Sequence, residues 1–199
     1  MKNRNLALFD FDGTITTKDT LVEFIKYAVG SKNYYLGLLK LSPMLLAYML
    51  KFIPNHKAKE QLIAYFFKDW ESQKFQAIAK KYALEEIDTI TRPQAIEQIR
   101  SHQEKGDKVV IVSASIECWI DAWAKQYGIE LIATRLEHQD NRVTGKFATK
   151  NCYGIEKVNR IKKSLRLKEY QTITAYGDSS GDKEMLALSH NAYYKPFRG

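Results

Sequence analysis

Acids and arginine are missing from the same stretch of this chain. No aspartate or glutamate occurs from Phe24 to Lys59, and no arginine from Asn5 to Thr91. Cysteine is scarce as well. Cys118 and Cys152 are the two in 199 residues, which excludes a disulfide framework and makes a reducing cytoplasm the expected setting. Met1-Lys-Asn-Arg-Asn5 runs into a strand too short, and too acidic at its end, for a signal peptide. The apolar tract Tyr34 to Ile53 carries Lys40, Ser42 and Pro43 near its middle, so a spanning helix is not expected there. Repeats and low-complexity tracts are absent. The net charge of +8 suits anionic partners, yet it is spread along the chain without a basic run or an aromatic nucleic-acid motif. Nucleic acid is therefore not expected. A hydrophobic content of 45% is enough for the core of one domain, with room for an insertion.

What the chain does have is Leu6-Ala-Leu-Phe-Asp-Phe-Asp-Gly-Thr14, an apolar strand running into two aspartates one residue apart. Alternation puts Asp10 and Asp12 on one side, at the carboxyl end where open α/β sheets hold ligands. Crowded carboxylates repel one another unless a cation sits between them. Hard oxygen donors of this kind suit Mg²⁺, which takes one or two carboxylates together with phosphate oxygens. A calcium loop would need Gly at its sixth position and Glu at its twelfth; counted from Asp10, Ile15 and Leu21 stand there. A surface turn with two solvated aspartates is the plainer alternative.

Past Thr14 the spacing predicts helices over 20–29, 33–53, 57–69 and 72–90, broken by Gly30, Pro43, Pro54 and the Lys68-Asp69 corner. Alternation of strands and helices then follows. Pro93 opens a helix that ends at Gly106, 109–112 is a buried strand, 116–127 a helix and 129–133 a strand. A hairpin is expected over 136–147 around Asp140-Asn141, then helix 155–167, strand 171–176, helix 182–188 and a strand near 192–194. This pattern implies an α/β fold, a doubly wound parallel sheet with an inserted helical cap. Residues 1–16 and 92–199 would form the core and 17–91 the cap.

Three further polar groups fall where the sheet ends. Val112 leads into Ser113-Ala114-Ser115, Tyr176 leads into Gly-Asp178-Ser-Ser-Gly-Asp182, and Lys157 opens the helix before that strand. A carboxylate that attacks, cations that neutralise charge and a carboxylate that moves a proton are what phosphoryl transfer requires. Asp-x-Asp-Gly-Thr at Asp10 to Thr14, Ser113 after an apolar strand, and Gly-Asp-x-x-x-Asp at Gly177, Asp178 and Asp182 occur in a specific order. The whole chain resembles the haloacid dehalogenase superfamily of phosphohydrolases, in the subfamily that includes phosphoserine phosphatases. The resemblance implies Asp10 as nucleophile forming an aspartyl-phosphate and Asp12 as acid, then base. It implies Mg²⁺ held by Asp10, Asp178 and the Asp12 carbonyl, with Thr14 and Asp182 behind them. Ser113, Ala114 and Lys157 would bind phosphate. Lys157 is placed by the apolar register of Val158, Ile161 and Leu165, because Tyr153 stands where the subfamily often has lysine. Gly181 stands where relatives commonly have Asn, so one phosphate or metal-shell contact is either absent or supplied by Ser179 or Ser180.

The substrate stays open. Phosphoserine phosphatases clamp the substrate carboxylate with a cap arginine; Ile63 stands at that position, while Asp19 matches their acid for the amine. Residues 34–53 are apolar, and Lys26, Lys32, Lys40, Lys51, Lys57 and Lys59 accompany them without acids. That composition fits either a segment resting on anionic lipid or a buried cap core with snorkelling lysines. The cap and Tyr194-Lys-Pro-Phe-Arg-Gly199 are similar to bacterial phosphatidylglycerophosphate phosphatases of the subfamily. A lipid phosphate, with peripheral contact at the inner face of the membrane, is the expectation. A small metabolite such as phosphoserine, or transfer of the phosphoryl group to an alcohol, are the alternatives.

Overall fold

The computed structural model describes residues 4–198. Five parallel strands form the central sheet: β1 (Arg4–Phe9), β2 (Lys108–Ile116), β3 (Glu130–Thr134), β6 (Tyr170–Gly177) and β7 (Asn191–Tyr194). β4 (Leu136–Gln139) and β5 (Arg142–Phe147) pair separately as an antiparallel ribbon. The lateral order is β3-β2-β1-β6-β7, so the winding reverses between β1 and β6. Ligands of open α/β sheets bind at such a reversal, outside the carboxyl ends of the strands. Alternation along β1 sends Ala7 and Phe9 into one layer with Ile111, and Leu6 and Leu8 into the other with Val112, Ile161 and Met185. Both faces of the sheet are therefore covered, as a parallel sheet requires.

The helical insertion consists of α1 (Thr20–Val29), α2 (Ser31–Lys40), α3 (Ser42–Met49), α4 (Asn55–Phe67) and α5 (Ser72–Glu85), then a 3₁₀ turn over Ile87–Ile90. Its boundaries follow local chemistry. The Asp19 carboxylate accepts from Leu21 N at 2.9 Å to start α1, and Gly30, at φ 82°, ends it. Pro43 in the first turn of α3 divides the apolar tract into two short helices. The insertion leaves and rejoins the sheet at one place, where Thr17 N donates to Ile90 O at 2.7 Å and Arg92 N to Ile15 O at 2.8 Å. Phe24, Phe67, Phe75 and Tyr82 form its centre, and Phe24 stacks on Trp119 with 4.7 Å between ring centroids.

After the insertion come α6 (Pro93–Glu104), α7 (Asp121–Gln126), α8 (Ile155–Ser164) and α9 (Lys183–Leu188). β2 continues through Ser113 to Ile116, with a shift in its pairing to β3, and a 3₁₀ turn over Glu117–Trp119 precedes α7. The helix expected from 116 is shorter for that reason. Asp140 and Asn141, both at positive φ, close the expected hairpin. The ribbon leans on the insertion: Asp69 N donates to Val143 O, and Val143 N to Trp70 O, each at 2.9 Å. Gly145, at φ +83°, lies directly against the backbone of Ala64, where a side chain would not fit. We propose a core of 1–16 and 92–199 and a cap of 17–91, with this hairpin as the core's support for the cap.

Candidate active site

Asp10 continues the layer of Leu6 and Leu8 and so faces α8, whose Lys157 is buried. The Lys157 ammonium donates to Asp10 Oδ1 at 2.6 Å, Asp182 Oδ1 at 2.6 Å and Val112 O at 2.7 Å. Thr14 Oγ1 donates to the second Asp10 oxygen at 3.0 Å. Asp182 has a double task. Its Oδ2 accepts from Asp178 N at 3.1 Å, Ser179 N at 2.9 Å and Ser179 Oγ at 2.8 Å, fixing the turn before α9. Asp178 pairs with Arg198 near the carboxyl end.

Carboxylate oxygens of Asp10, Asp178 and Asp182 lie within 4.8 Å of one another. Burial pushes Asp10 up to about 7, against the pull of Lys157. Burial likewise raises Asp178, and Asp182 adds to it. Asp182 is lowered: burial opposes its charge, and Lys157 together with the Ser179 hydrogen bonds outweighs that. Burial also disfavours the Lys157 ammonium, but Asp10 and Asp182 together hold its pKa above the ordinary value. One buried lysine thus serves a cluster of acids that two raised carboxyls mark as short of positive charge. A hard divalent cation fits this donor set of three carboxylates. Gly13 keeps the approach clear, since at φ +82° any side chain there would collide with the Asp178 carboxylate.

Asp12 belongs to a different network. Its Oδ1 accepts from Thr20 N at 2.8 Å, and its Oδ2 from Ser115 Oγ, which lies 2.9 Å from Thr20 Oγ1. Burial first, and Asp19 second, push Asp12 up to about 6. Ser113 is buried and its Oγ accepts from Ser115 N at 3.0 Å. A cavity of 190 Å³ brings together Asp10, Asp12, Ser113, Ala114 and Lys157, with Asp19 at its edge. Sequence reasoning omitted Ser115, Thr20 and Arg198 from the site, as it did Asn55 and Lys59 of α4, which also line the cavity. Ser115 carried a readable signal, since it stands two residues beyond Ser113.

The two departures from the family pattern fit together. The Tyr153 ring occupies the space a side chain at Gly181 would need, and Tyr153 Oη lies 2.8 Å from Ser180 Oγ. Ser179, the other expected substitute, lines the cavity and donates to Asp182. Ile63 is completely buried in the aromatic core and does not face the cavity.

The family description of haloacid dehalogenase-like hydrolases matches residues 7–187, and the chain belongs to that family. It is 36% identical over 197 residues to protein CicA of Caulobacter vibrioides, covering 98% of this chain and 87% of CicA. A Mycobacterium tuberculosis protein named a probable phosphatase is 28% identical, with 98% of this chain and 70% of that one aligned. Among solved structures, a Bordetella pertussis protein of unknown function superposes with TM-score 0.80 at 22% identity, covering 94% of this chain and 88% of that chain. A phospho-aspartyl intermediate analogue of phosphoserine phosphatase superposes with TM-score 0.66 at 19% identity, covering 94% and 84% of the two chains. These likenesses establish the fold.

Proposed function

We propose that this hydrolase cleaves phosphate monoesters through a covalent aspartyl-phosphate on Asp10, with Mg²⁺ bound beside it. The observation that carries the reading is the buried Lys157 ammonium, 2.6 Å from both Asp10 and Asp182 at the point where the sheet reverses. Lys157 and Thr14 hold one Asp10 oxygen each, which orients the carboxylate. An Asp10 oxygen bonds to phosphorus as the bond to the alcohol oxygen breaks, and Asp12 gives that oxygen its proton. Water then attacks phosphorus, Asp12 takes the proton, and phosphate leaves with Asp10 restored. Ser113, Ala114 and Lys157 bind the phosphoryl oxygens. When bound, Mg²⁺ supplies further neutralisation of their charge. Turnover of p-nitrophenyl phosphate is expected to vanish on exhaustive chelation and to return with Mg²⁺; activity that survives chelation contradicts this reading.

The proposed substrate class is a lipid phosphate. At 190 Å³ the cavity is too small for an acyl chain, so the apolar tail of a lipid substrate would lie outside it. Among the described residues, eight of the fourteen exposed large apolar side chains fall within Tyr35–Phe52, including Leu39 (71% exposed), Met49 (75%) and Phe52 (79%). α3 buries no residue, which favours the lipid reading for that half of the tract, while Tyr34 and Gly37 of α2 are buried. Lys32, Lys40, Lys51 and Lys57 are exposed, and the sequence from Phe24 to Lys59 contains no acid. Among the described residues no helix is long and apolar enough to cross a membrane. An apolar, basic surface of this kind suits a position on anionic lipid. Each lysine near such a surface adds about 1 kcal/mol, so co-sedimentation with anionic vesicles is expected, weakened by salt and absent with neutral vesicles. Failure to bind anionic vesicles at low salt contradicts the membrane reading.

A further inference from the structure

We propose that Lys59 reads a second anionic group on the substrate, beyond the phosphate that is cleaved. The inference deepens the phosphomonoesterase reading and rests on it. The cavity lined by Asp10, Asp12, Ser113, Ala114 and Lys157 is lined also by Asn55 and Lys59 of α4. Asn55 and Lys59 are four residues apart and share a helix face, and Ile63, four further on, is buried in the aromatic core. That buried residue fixes the rotation of α4, so the stripe ahead of it is turned inward. Asn151 Nδ2 donates to Asn55 Oδ1 at 3.3 Å, which ties the first turn of α4 to the loop before α8.

The charges nearby make Lys59 distinctive. Lys57 is held by Glu60 at 3.1 Å, Lys18 and Lys26 both pair with Glu23, and Lys157 is taken by Asp10 and Asp182. Among the described residues Lys59 has no carboxylate within 4.0 Å, although it is partly buried. The carboxylates that line the same cavity, Asp10, Asp12, Asp19 and Asp182, form no ion pair with Lys59 among the described residues, so its ammonium is open to an anion on the substrate. Asp10 and Ser113-Ala114 come from β1's end and from β2, whereas Lys59 comes from α4, so the anion assigned to Lys59 is a group of the substrate other than the phosphate on Asp10. An ammonium acts as a point charge and accepts a carboxylate or a phosphodiester equally. The group can belong to a lipid head group or to a free metabolite.

The test compares wild-type, Lys59→Met and Lys59→Arg proteins on three esters with Mg²⁺ present. p-Nitrophenyl phosphate has no second anion, phosphoserine has a carboxylate, and phosphatidylglycerophosphate in mixed micelles has a phosphodiester. Lys59→Met is expected to lose about tenfold or more in kcat/KM on the second-anion ester beyond its loss on p-nitrophenyl phosphate, chiefly through KM. Lys59→Arg should recover most of that selectivity, and the affected ester identifies the source of the anion. Equal losses on all three esters, or none on either second-anion ester, overturn the proposal. Wild-type protein inactive on every ester would defeat the phosphatase reading instead. Calorimetric binding of the same esters to Asp10→Asn and Asp10→Asn/Lys59→Met protein then decides the role of Lys59 without turnover.

Discussion

Asp10→Asn protein is expected to fold and to lose turnover on every phosphomonoester by a factor on the order of 10⁴ or more. The substitution keeps the shape of the side chain. An amide oxygen can still accept from Lys157, and the amide nitrogen can donate to Thr14 Oγ1, the two contacts Asp10 makes now. Burial has already pushed Asp10 up to about 7, so its charge is costly in this position. A neutral replacement therefore leaves the unfolding temperature equal or higher while removing the nucleophile. Loss of activity together with loss of fold would make Asp10 a structural residue. Retained turnover would place the chemistry elsewhere.

Asp12→Asn is expected to cost about 10²- to 10⁴-fold, with a dependence on leaving group that Asp10→Asn lacks. An alkyl ester needs a proton on its departing oxygen, whereas nitrophenolate leaves without one. The loss should therefore be greater on an alkyl phosphate than on p-nitrophenyl phosphate, which is checked by measuring kcat for both. The local contacts favour this division of labour. Asp12 is oriented by Thr20 N and Ser115 Oγ and lies outside the carboxylate cluster of Asp10, Asp178 and Asp182. Equal losses on the two esters would reduce Asp12 to a structural role.

The strand-end acids were legible because their chemistry is local. Asp10, Asp12 and Asp178 each stand at the end of an apolar run, with Asp182 four residues beyond Asp178, and strand order then carries them to one edge. Lys157 was legible through a longer chain of reasoning. Val158, Ile161 and Leu165 mark the buried side of α8, and a lysine at its first turn has the strand ends as its neighbours. The α4 side chains were not legible. Asn55 and Lys59 reach the cavity only through the rotation of α4, which Ile63 and Phe67 fix by packing against distant rings. Tyr153 and Gly181 look like independent departures along the chain, and only their contact in space shows that one makes room for the other. The Arg198 contact with Asp178 depends on the path of the last residues, where Arg92 holds Phe197 O at 3.4 Å. The helical block was expected correctly, but whether α2 and α3 are buried or exposed is set by the number of partners around them, which periodicity does not record.

The central claim is that the phosphoryl group passes through Asp10, and acid quenching during turnover tests it most directly. Wild-type protein with Mg²⁺ and p-nitrophenyl phosphate is stopped in acid, digested and examined by mass spectrometry. The account predicts one added phosphoryl group on the peptide containing Asp10, labile to base, and none in Asp10→Asn protein. A phosphoryl group on any other residue, or an unmodified Asp10 peptide when single-turnover kinetics show that breakdown of an intermediate limits the rate, would contradict it.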